Sequence, residues 1–161
     1  MTKKKKMILL IAAVCLLAAA VITVICIYAF SENTPAKLFK SIERSDIESI
    51  KGESVSDGSH GELNGDDIDK FIQIIRNADN KPTDRTGHEI VGGDGPYFTV
   101  KLKNGKEYMI HVFSGYTYKG TKYKGFISVD DDPWYECDTR DLQKLFFINS
   151  DSQYKEYYQN H

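Results

Sequence analysis

The feature that most constrains this chain is an uninterrupted apolar run near its N-terminus, from Met7 to Phe30. The run contains no charged residue, and Thr23 and Tyr28 are its only polar side chains. Its 24 residues would form a helix roughly 36 Å long, because an α-helix rises about 1.5 Å per residue. The hydrocarbon core of a bilayer is about 30 Å thick, so the run predicts a single transmembrane helix over residues 7–30.

The basic residues before this run predict its orientation. Four consecutive lysines, Lys3 to Lys6, precede it, and lysine-rich flanks stay on the cytoplasmic side of a membrane. Residues 1–6 are therefore a predicted cytoplasmic lead, and the C-terminal part of this single-pass protein is predicted to lie outside the cell membrane. Two alternatives stay open: a cleaved secretory signal, whose apolar region is normally about 7 to 15 residues long, and a buried helix of a soluble protein.

The charge of the remaining chain argues against nucleic acid as a partner. Four of the 21 basic residues precede the apolar run, which leaves 17 basic against 23 acidic residues and a net charge of −6. Nucleic-acid binding needs clustered lysine and arginine. The sequence therefore predicts an acidic domain that does not bind nucleic acid.

One domain of ordinary size follows the apolar run. The predicted parts are a linker at residues 31–33, an extracytoplasmic domain at residues 34–148 and a polar C-terminal tail at residues 149–161.

Two helix signals flank a predicted strand over residues 45–56. Thr34 followed by Pro35 is typical of a helix start, because threonine caps the first turn and proline fits its first position. The apolar side chains of residues 66–78 recur with the spacing of an amphipathic helix, for which Asn64 is the predicted N-cap.

The clearest strand pair surrounds Asn104 and Gly105. A three-residue loop at residues 103–105 places Val100 opposite Tyr108 and gathers the apolar side chains of both strands on one face. A two-residue loop would scatter them over both faces. Because a single buried face fixes the register of a strand pair, the sequence predicts a type I turn with a bulge at Gly105.

The remaining signals complete the predicted fold class. They are a strand over residues 122–129 and a closing helix whose N-cap is Asp138 or Thr139. This order of elements predicts an α+β domain with an antiparallel sheet of about four strands. Two or three helices are expected to pack on it, mainly on one face.

Three segments carry a resemblance to a known class of domains. They are the helix DDIDKFIQIIRN, the strand pair YFTVKLKNGKEYMIHV and the closing helix DLQKLFF, behind a lysine-led anchor. This pattern, over residues 34–148, resembles the small uncharacterised membrane-anchored extracytoplasmic α+β domains of Gram-positive bacteria. The resemblance implies a location and an architecture, and it implies no chemistry.

No constellation in the sequence predicts catalysis, a cofactor or a metal site. A calcium loop counted from Asp57 has Ile68 where the twelfth-position acid belongs. The four histidines are scattered without the spacing of zinc ligands. Cys137, the one cysteine after the apolar run, is interpreted as a buried and inert thiol, and a disulfide between two chains is the alternative.

The outward face of the predicted strand pair is the candidate binding site. It is more aromatic than a purely solvated face needs to be, and tyrosines nearby in sequence add to it. The candidate residues are Tyr97, Lys101, Met109, His111, Phe113, Tyr116 and Tyr118. Such a face indicates contact with a partner protein, a peptide or a glycan. A second helix covering the face, or ordinary strand tyrosines, would also explain the pattern.

Three roles stay open for the domain. The first is binding of a partner or ligand at the cell envelope, and the second is an envelope hydrolase that uses His111 with a carboxylate. The third is a structural or inhibitory subunit of a membrane complex. A deep pocket joining His111 to a carboxylate would favour the enzyme, whereas a shallow aromatic face favours binding. The sequence leans towards a protein that is not an enzyme.

Small residues recur along one side of the apolar run. Ala12, Cys15, Ala19 and Cys26, together with Ile22, follow one another at alternating steps of three and four. Membrane helices associate by close packing, which small residues permit, so this seam predicts a homodimer within the bilayer. An alanine-rich span without a partner helix is the alternative.

Overall fold

The computed structural model describes residues 11, 14–23, 34–83, 94–118, 120–130 and 133–160. The chain divides into two compact units, Met1–Asn33 and Thr34–His161. In the first unit, residues 14–23 are helical. Within the part of the chain that the structure describes, no helix has the length and apolar content needed to cross a membrane.

Much of the apolar run lies outside the described residues, including Ala12 and Cys26 of the predicted dimer seam. The transmembrane helix and the homodimer therefore stay predictions.

The second unit contains all the other elements. In its described residues they are α1 (Pro35–Lys40), a 3₁₀ turn (Arg44–Asp46), β1 (Ile47–Glu53), β2 (His60–Glu62), α2 (Asp66–Arg76), β3 (Pro82–Thr83), β4 (Asp94–Leu102), β5 (Glu107–Phe113), β6 (Tyr116–Tyr118), β7 (Thr121–Tyr123), β8 (Gly125–Val129), β9 (Trp134–Cys137), α3 (Thr139–Ile148) and α4 (Lys155–Asn160).

Seven of these strands form one sheet in the order β2-β1-β4-β5-β8-β9-β3, and β6 and β7 form a separate hairpin. Every described pair of neighbouring strands is antiparallel. The α+β fold class is thus confirmed, but the expected sheet of about four strands was too small. Within this sheet, the strands that the sequence did not predict are β2, β3 and β9, which have three, two and four residues and so offer little alternation to detect.

The register of the central hairpin is confirmed. Val100 lies opposite Tyr108, as predicted. Gly105 has φ +85°, a left-handed conformation that glycine adopts without strain. The Leu102 amide donates to the Lys106 carbonyl oxygen at 2.8 Å, which closes a three-residue loop. The periodicity of the flanking strands therefore predicted the length of the loop correctly.

The helices pack their buried side chains against one face of the sheet. Phe71, Ile72 and Ile75 of α2 are buried, as the 3.6-residue spacing predicted. An edge-to-face contact with ring centroids 5.0 Å apart joins Phe71 to Phe98 of β4, and a second contact at 6.1 Å joins Phe98 to Phe146 of α3. These rings connect two helices through the sheet residue between them, so one core serves the whole unit.

Two predicted caps differ in outcome. Thr34 caps α1, because its hydroxyl oxygen accepts a hydrogen bond from the Lys37 amide at 3.3 Å. Asn64 does not cap α2: its side-chain amide donates to the Glu62 carbonyl oxygen at 3.0 Å. The N-cap position belongs instead to Gly65, whose φ of +57° favours a residue without a Cβ.

One further boundary was wrong, and the C-terminal residues are packed. The predicted strand over residues 122–129 is divided at Lys124, with β7 and β8 in different sheets. The C-terminal residues, predicted as a polar tail, belong to the second compact unit and include α4. Tyr158 of α4 stacks on Phe147 of α3 with ring centroids 4.7 Å apart and planes 7° apart, so an aromatic contact fixes this segment.

A carboxylate ties the C-terminal segment to the turn between β1 and β2. Asp57 accepts hydrogen bonds from the Ser152 hydroxyl at 2.7 Å and from the Ser59 hydroxyl at 2.7 Å. These bonds, that of Ser152 first, lower the pKa of Asp57 to about 2, because hydrogen bonds to the charged form stabilise it. Asp57 is thus a structural carboxylate.

This pKa predicts how stability depends on pH. A carboxyl group whose pKa is lower in the folded chain stabilises the fold above its unfolded pKa of about 3.9, and the contribution is lost as the pH falls through about 2. Asp57→Asn is expected to lower the melting temperature at pH 7 and to reduce its decrease between pH 4 and pH 2. Thermal melts of the full-length chain at several pH values measure both effects, with the exposed Asp79→Asn as the matched control. Equal acid sensitivity of Asp57→Asn and the wild type would contradict the assignment.

Candidate functional site

The strand pair presents five of the seven predicted site residues on the face opposite the core: Tyr97, Lys101, Met109, His111 and Phe113. Tyr97 lies opposite His111 and Thr99 opposite Met109. Their neighbour Phe98 points the other way and is fully buried. These side chains therefore share the outward face.

Four further strands extend this face. The sheet order adds side chains from β1, β2, β8 and β9 to those of β4 and β5. We name the whole set the outer face: Lys51, Glu53, His60, Glu62, Tyr97, Thr99, Lys101, Met109, His111, Phe113, Phe126, Ser128, Trp134 and Glu136. The buried side chains of α1, α2 and α3 belong to the core on the opposite side, so none of these three helices covers the outer face.

One row of the outer face aligns polar and aromatic side chains across six neighbouring strands. In spatial order the row is His60, Glu53, Tyr97, His111, Ser128 and Trp134. The sequence predicted only Tyr97 and His111 of this row. The sequence carries no clear signal for Trp134: Tyr135 and Cys137 of β9 are buried and Trp134 and Glu136 are not, but the apolar Trp134 conceals this alternation in a strand of four residues.

The first half of the row is joined by polar contacts. The Tyr97 hydroxyl donates a hydrogen bond to the Glu53 carboxylate, and this bond raises the pKa of Tyr97. His60 Nδ1 lies 3.8 Å from Glu53 Oε2. The rings of Tyr97 and His111 lie with their centroids 6.3 Å apart at 31°. Glu53 is therefore the polar centre of this half.

The second half of the row contains a buried hydroxyl. Ser128 lies directly opposite His111 on one side and Trp134 on the other. It is 0 % exposed, and its Oγ has no hydrogen-bond partner within the described structure. A serine beside a histidine is a pattern found in hydrolases, but a nucleophile must be reached by its substrate, and this hydroxyl is enclosed.

An apolar patch lies next to the row. Phe113 and Trp134 make an edge-to-face contact with ring centroids 4.6 Å apart, and Phe126 lies opposite Phe113 in the register. Met109 is 40 % exposed on the same face and lies on the other side of the row, since His111 stands between it and Phe113 on β5. Aromatic rings and methionine are the side chains that protein interfaces favour at their centre.

Charged pairs lie on opposite sides of the row. Lys101 Nζ is 2.8 Å from Glu48 Oε1, and Lys124 Nζ is 3.1 Å from Glu136 Oε1. Each carboxylate raises the pKa of its lysine by accepting a hydrogen bond from it. Exposed pairs of this kind contribute little stability, so the charges remain available to a partner.

A cleft of about 470 Å³ lies at the β2 end of the outer face. Its polar lining includes Glu53, His60 and Tyr97. Among the described residues, no three histidine, cysteine or acidic side chains are grouped so that they could bind a metal ion. The cleft is a polar extension of the outer face.

Two of the predicted site residues lie elsewhere. Tyr116 and Tyr118 belong to β6, in the separate hairpin with β7, and not to the seven-stranded sheet. Their side chains lie outside the described part of the structure. Sequence proximity to β5 suggested a common surface, but the two sheets are distinct.

No protein-family model matches this chain, and comparison with curated proteins and with solved structures finds no significant similarity. The resemblance to extracytoplasmic domains of Gram-positive bacteria therefore stays a prediction that rests on sequence pattern.

Cys137 is an inert thiol, as interpreted from the sequence. It is 3 % exposed, and its Sγ lies 3.7 Å from the Ile74 carbonyl oxygen. Burial raises its pKa to about 12, so almost no thiolate forms at neutral pH. A disulfide between two chains through Cys137 would require the core to open.

Proposed function

We propose that this chain is a single-pass membrane protein whose extracytoplasmic domain binds a partner protein through the outer face. One observation carries the proposal: the aromatic cluster of Phe113, Phe126 and Trp134, with the Lys124–Glu136 pair at its edge and the exposed Met109 across the row, lies on a sheet face that α1, α2 and α3 leave uncovered. Apolar centres with polar borders are the usual anatomy of protein interfaces.

The size of the face supports a protein over a single sugar or a short peptide. The row from His60 to Trp134 crosses six strands, and strands lie about 4.8 Å apart, so the row is about 24 Å wide. A standard interface buries about 800 Å² on each partner, a patch of similar width. Both signs of charge at the border would give such a contact its orientation.

The sequence supports the location. The apolar run 7–30 is long enough to cross a bilayer, and the lysines before it favour a cytoplasmic N-terminus. The second unit, with its own core, would then face outwards.

The alternative of a hydrolase has one observation in its favour, the adjacency of His111 and Ser128. Two observations argue against it. Ser128 is fully buried, and Glu53, the acid of the row, lies two strands away from His111, or about 10 Å. Binding is therefore the better-supported role, and a structural or inhibitory subunit would use the same surface.

Labelling of intact cells tests both parts of the proposal. Met109→Cys places a thiol on the outer face, and Gln73→Cys places one on the exposed side of α2. A membrane-impermeant maleimide that carries a photoreactive group is expected to label both variants. Illumination should crosslink a partner protein from Met109→Cys and not from Gln73→Cys. Wild-type protein is the blank, because Cys137 is buried and Cys15 and Cys26 lie in the predicted transmembrane run.

Labelling tests the orientation of the chain, and crosslinking tests the interface, so each part of the proposal can be contradicted independently. Labelling that requires permeabilised cells would contradict the outward orientation. Equal crosslinking from both positions, or none from Met109→Cys, would contradict the outer face as the interface. A crosslink between two copies of the chain would make the face a homodimer contact instead.

A further inference from the structure

A second aromatic surface lies away from the outer face, in the C-terminal segment that the sequence suggested was a tail. We name it the tyrosine groove. It has a volume of about 410 Å³ and lies between the turn after β1, the start of β4, α3 and α4. Its lining includes Ser54, Ser56, Gln143, Tyr154, Tyr157 and Tyr158. Ligand pockets typically measure about 300 to 1,000 Å³, so its size is that of a small-molecule site.

The aromatic wall of the groove is ordered by ring contacts. Phe147, stacked on Tyr158, also meets Tyr154 edge to face, with centroids 5.9 Å apart and planes at 82°. Tyr157 meets Tyr158 at 5.2 Å and 87°. Tyr154 is 48 % exposed and Tyr157 is 58 % exposed. The wall is therefore rigid and still presents aromatic surface to solvent.

Hydrogen bonds hold the wall to the opposite side of the groove. The Tyr154 amide donates to the Ser152 hydroxyl oxygen at 3.2 Å, and that hydroxyl donates to Asp57 at 2.7 Å. On the opposite side the hydroxyl oxygens of Ser54 and Ser56 lie 2.9 Å apart. A site that is held before its ligand arrives loses less conformational entropy on binding.

The chemistry of the lining selects the ligand class. The described lining residues carry no charged side chain, and six of them carry a neutral hydroxyl or amide group. Tyrosine combines an apolar ring with a polar end. A ligand that matches this lining is neutral, rich in hydroxyl groups, and apolar on the faces of its rings.

We propose that the tyrosine groove binds a neutral oligosaccharide. Its sugar rings lie against Tyr154 and Tyr157, while the hydroxyl of the exposed Ser56 and the Gln143 amide bond the sugar hydroxyls. A proline-rich peptide is the rival ligand of aromatic grooves, but its proline side chains carry no hydroxyl groups that could bond Ser56 and Gln143. This site is separate from the outer face and does not depend on it.

Titration of the full-length chain tests the proposal. The protein is kept in a detergent without a sugar headgroup, so that the detergent does not occupy the groove. The probes are short β-1,4-linked oligomers of glucose and of N-acetylglucosamine, with a proline-rich peptide as the rival. We expect an oligosaccharide to bind with a dissociation constant below about 1 mM. Tyr157→Ala should weaken binding about tenfold, since it removes an exposed ring that the sugar contacts.

Two variants complete the design. Gln143→Ala tests the polar side and should also weaken binding, whereas Tyr123→Ala removes a partly exposed tyrosine outside the groove and should leave it unchanged. Circular dichroism establishes that each variant is folded. Absence of binding to both oligosaccharides would overturn the proposal. It would also be overturned by equal affinity in Tyr157→Ala, Gln143→Ala and wild type, or by binding of the peptide alone.

Discussion

Replacement of Ile72 with aspartate is expected to unfold the second compact unit. Ile72 is 4 % exposed and lies on α2 beside Phe71, which is fully buried against the sheet. An unpaired carboxylate at this position loses its hydration without gaining a partner, at a cost of several kcal/mol. The total stability of a domain is typically about 5 to 15 kcal/mol, so little would remain.

The adjacent residue provides the control. Gln73 lies on the exposed side of α2, so Gln73→Asp introduces the same charge into the same turn of helix without burying it. Far-ultraviolet circular dichroism and thermal melting of the full-length chain should show loss of the β-sheet signal and of the transition in Ile72→Asp alone. A normal melting curve for Ile72→Asp would show that α2 does not pack as described.

The features that the sequence predicted correctly depend on local periodicity. The spacing of Phe71, Ile72 and Ile75 identified the buried side of α2, and alternation around Gly105 identified the hairpin register. In both cases, the residues that decide the structure lie within about two turns of helix or one hairpin. Such local patterns are sufficient to fix the structure, because a register shift of one residue would expose the apolar side chains to solvent.

The missed features depend on long-range pairing. His60, Ser128 and Trp134 join the central row only because β2, β8 and β9 occupy particular places in the sheet order. β2 and β9 are too short to show alternation, and no local pattern specifies which strand is its neighbour. The sequence therefore predicted the β4 and β5 part of the outer face and missed its extension on both sides.

The tyrosine groove was missed for a related reason. Residues 149–161 are polar except for three tyrosines, which is a composition typical of a tail. Their order comes from contacts with residues distant in sequence: Tyr158 stacks on Phe147, and Ser152 donates to Asp57. Composition does not show these partners, so it could not distinguish a frayed end from a packed segment.

Gly125, at the start of β8, is the most closely surrounded of the described glycines. A Cβ at this position would overlap the Thr139 hydroxyl and the Phe113 carbonyl oxygen, and it would come within 2.7 Å of the Gly115 amide nitrogen. Hydrogen bonds already link these three groups. The Thr139 Oγ1 accepts from the Gly115 amide at 2.9 Å and donates to the Phe113 carbonyl oxygen at 3.1 Å. These two hydrogen bonds connect the start of α3 to the end of β5 and the residues just after it.

Gly125→Ala is therefore expected to destabilise the fold by about 3 kcal/mol or more, because backbone atoms cannot move aside as a flexible side chain can. Gly120→Ala is the matched control. Gly120 has φ +79° and open space around it, so its substitution adds only conformational strain of about 1 to 2 kcal/mol. Denaturant unfolding of both variants measures the difference in free energy. If Gly125→Ala proved no more destabilising than Gly120→Ala, β5, β8 and α3 could not meet as closely as they do here. The close packing of β8 and α3 against the end of β5 would then be wrong.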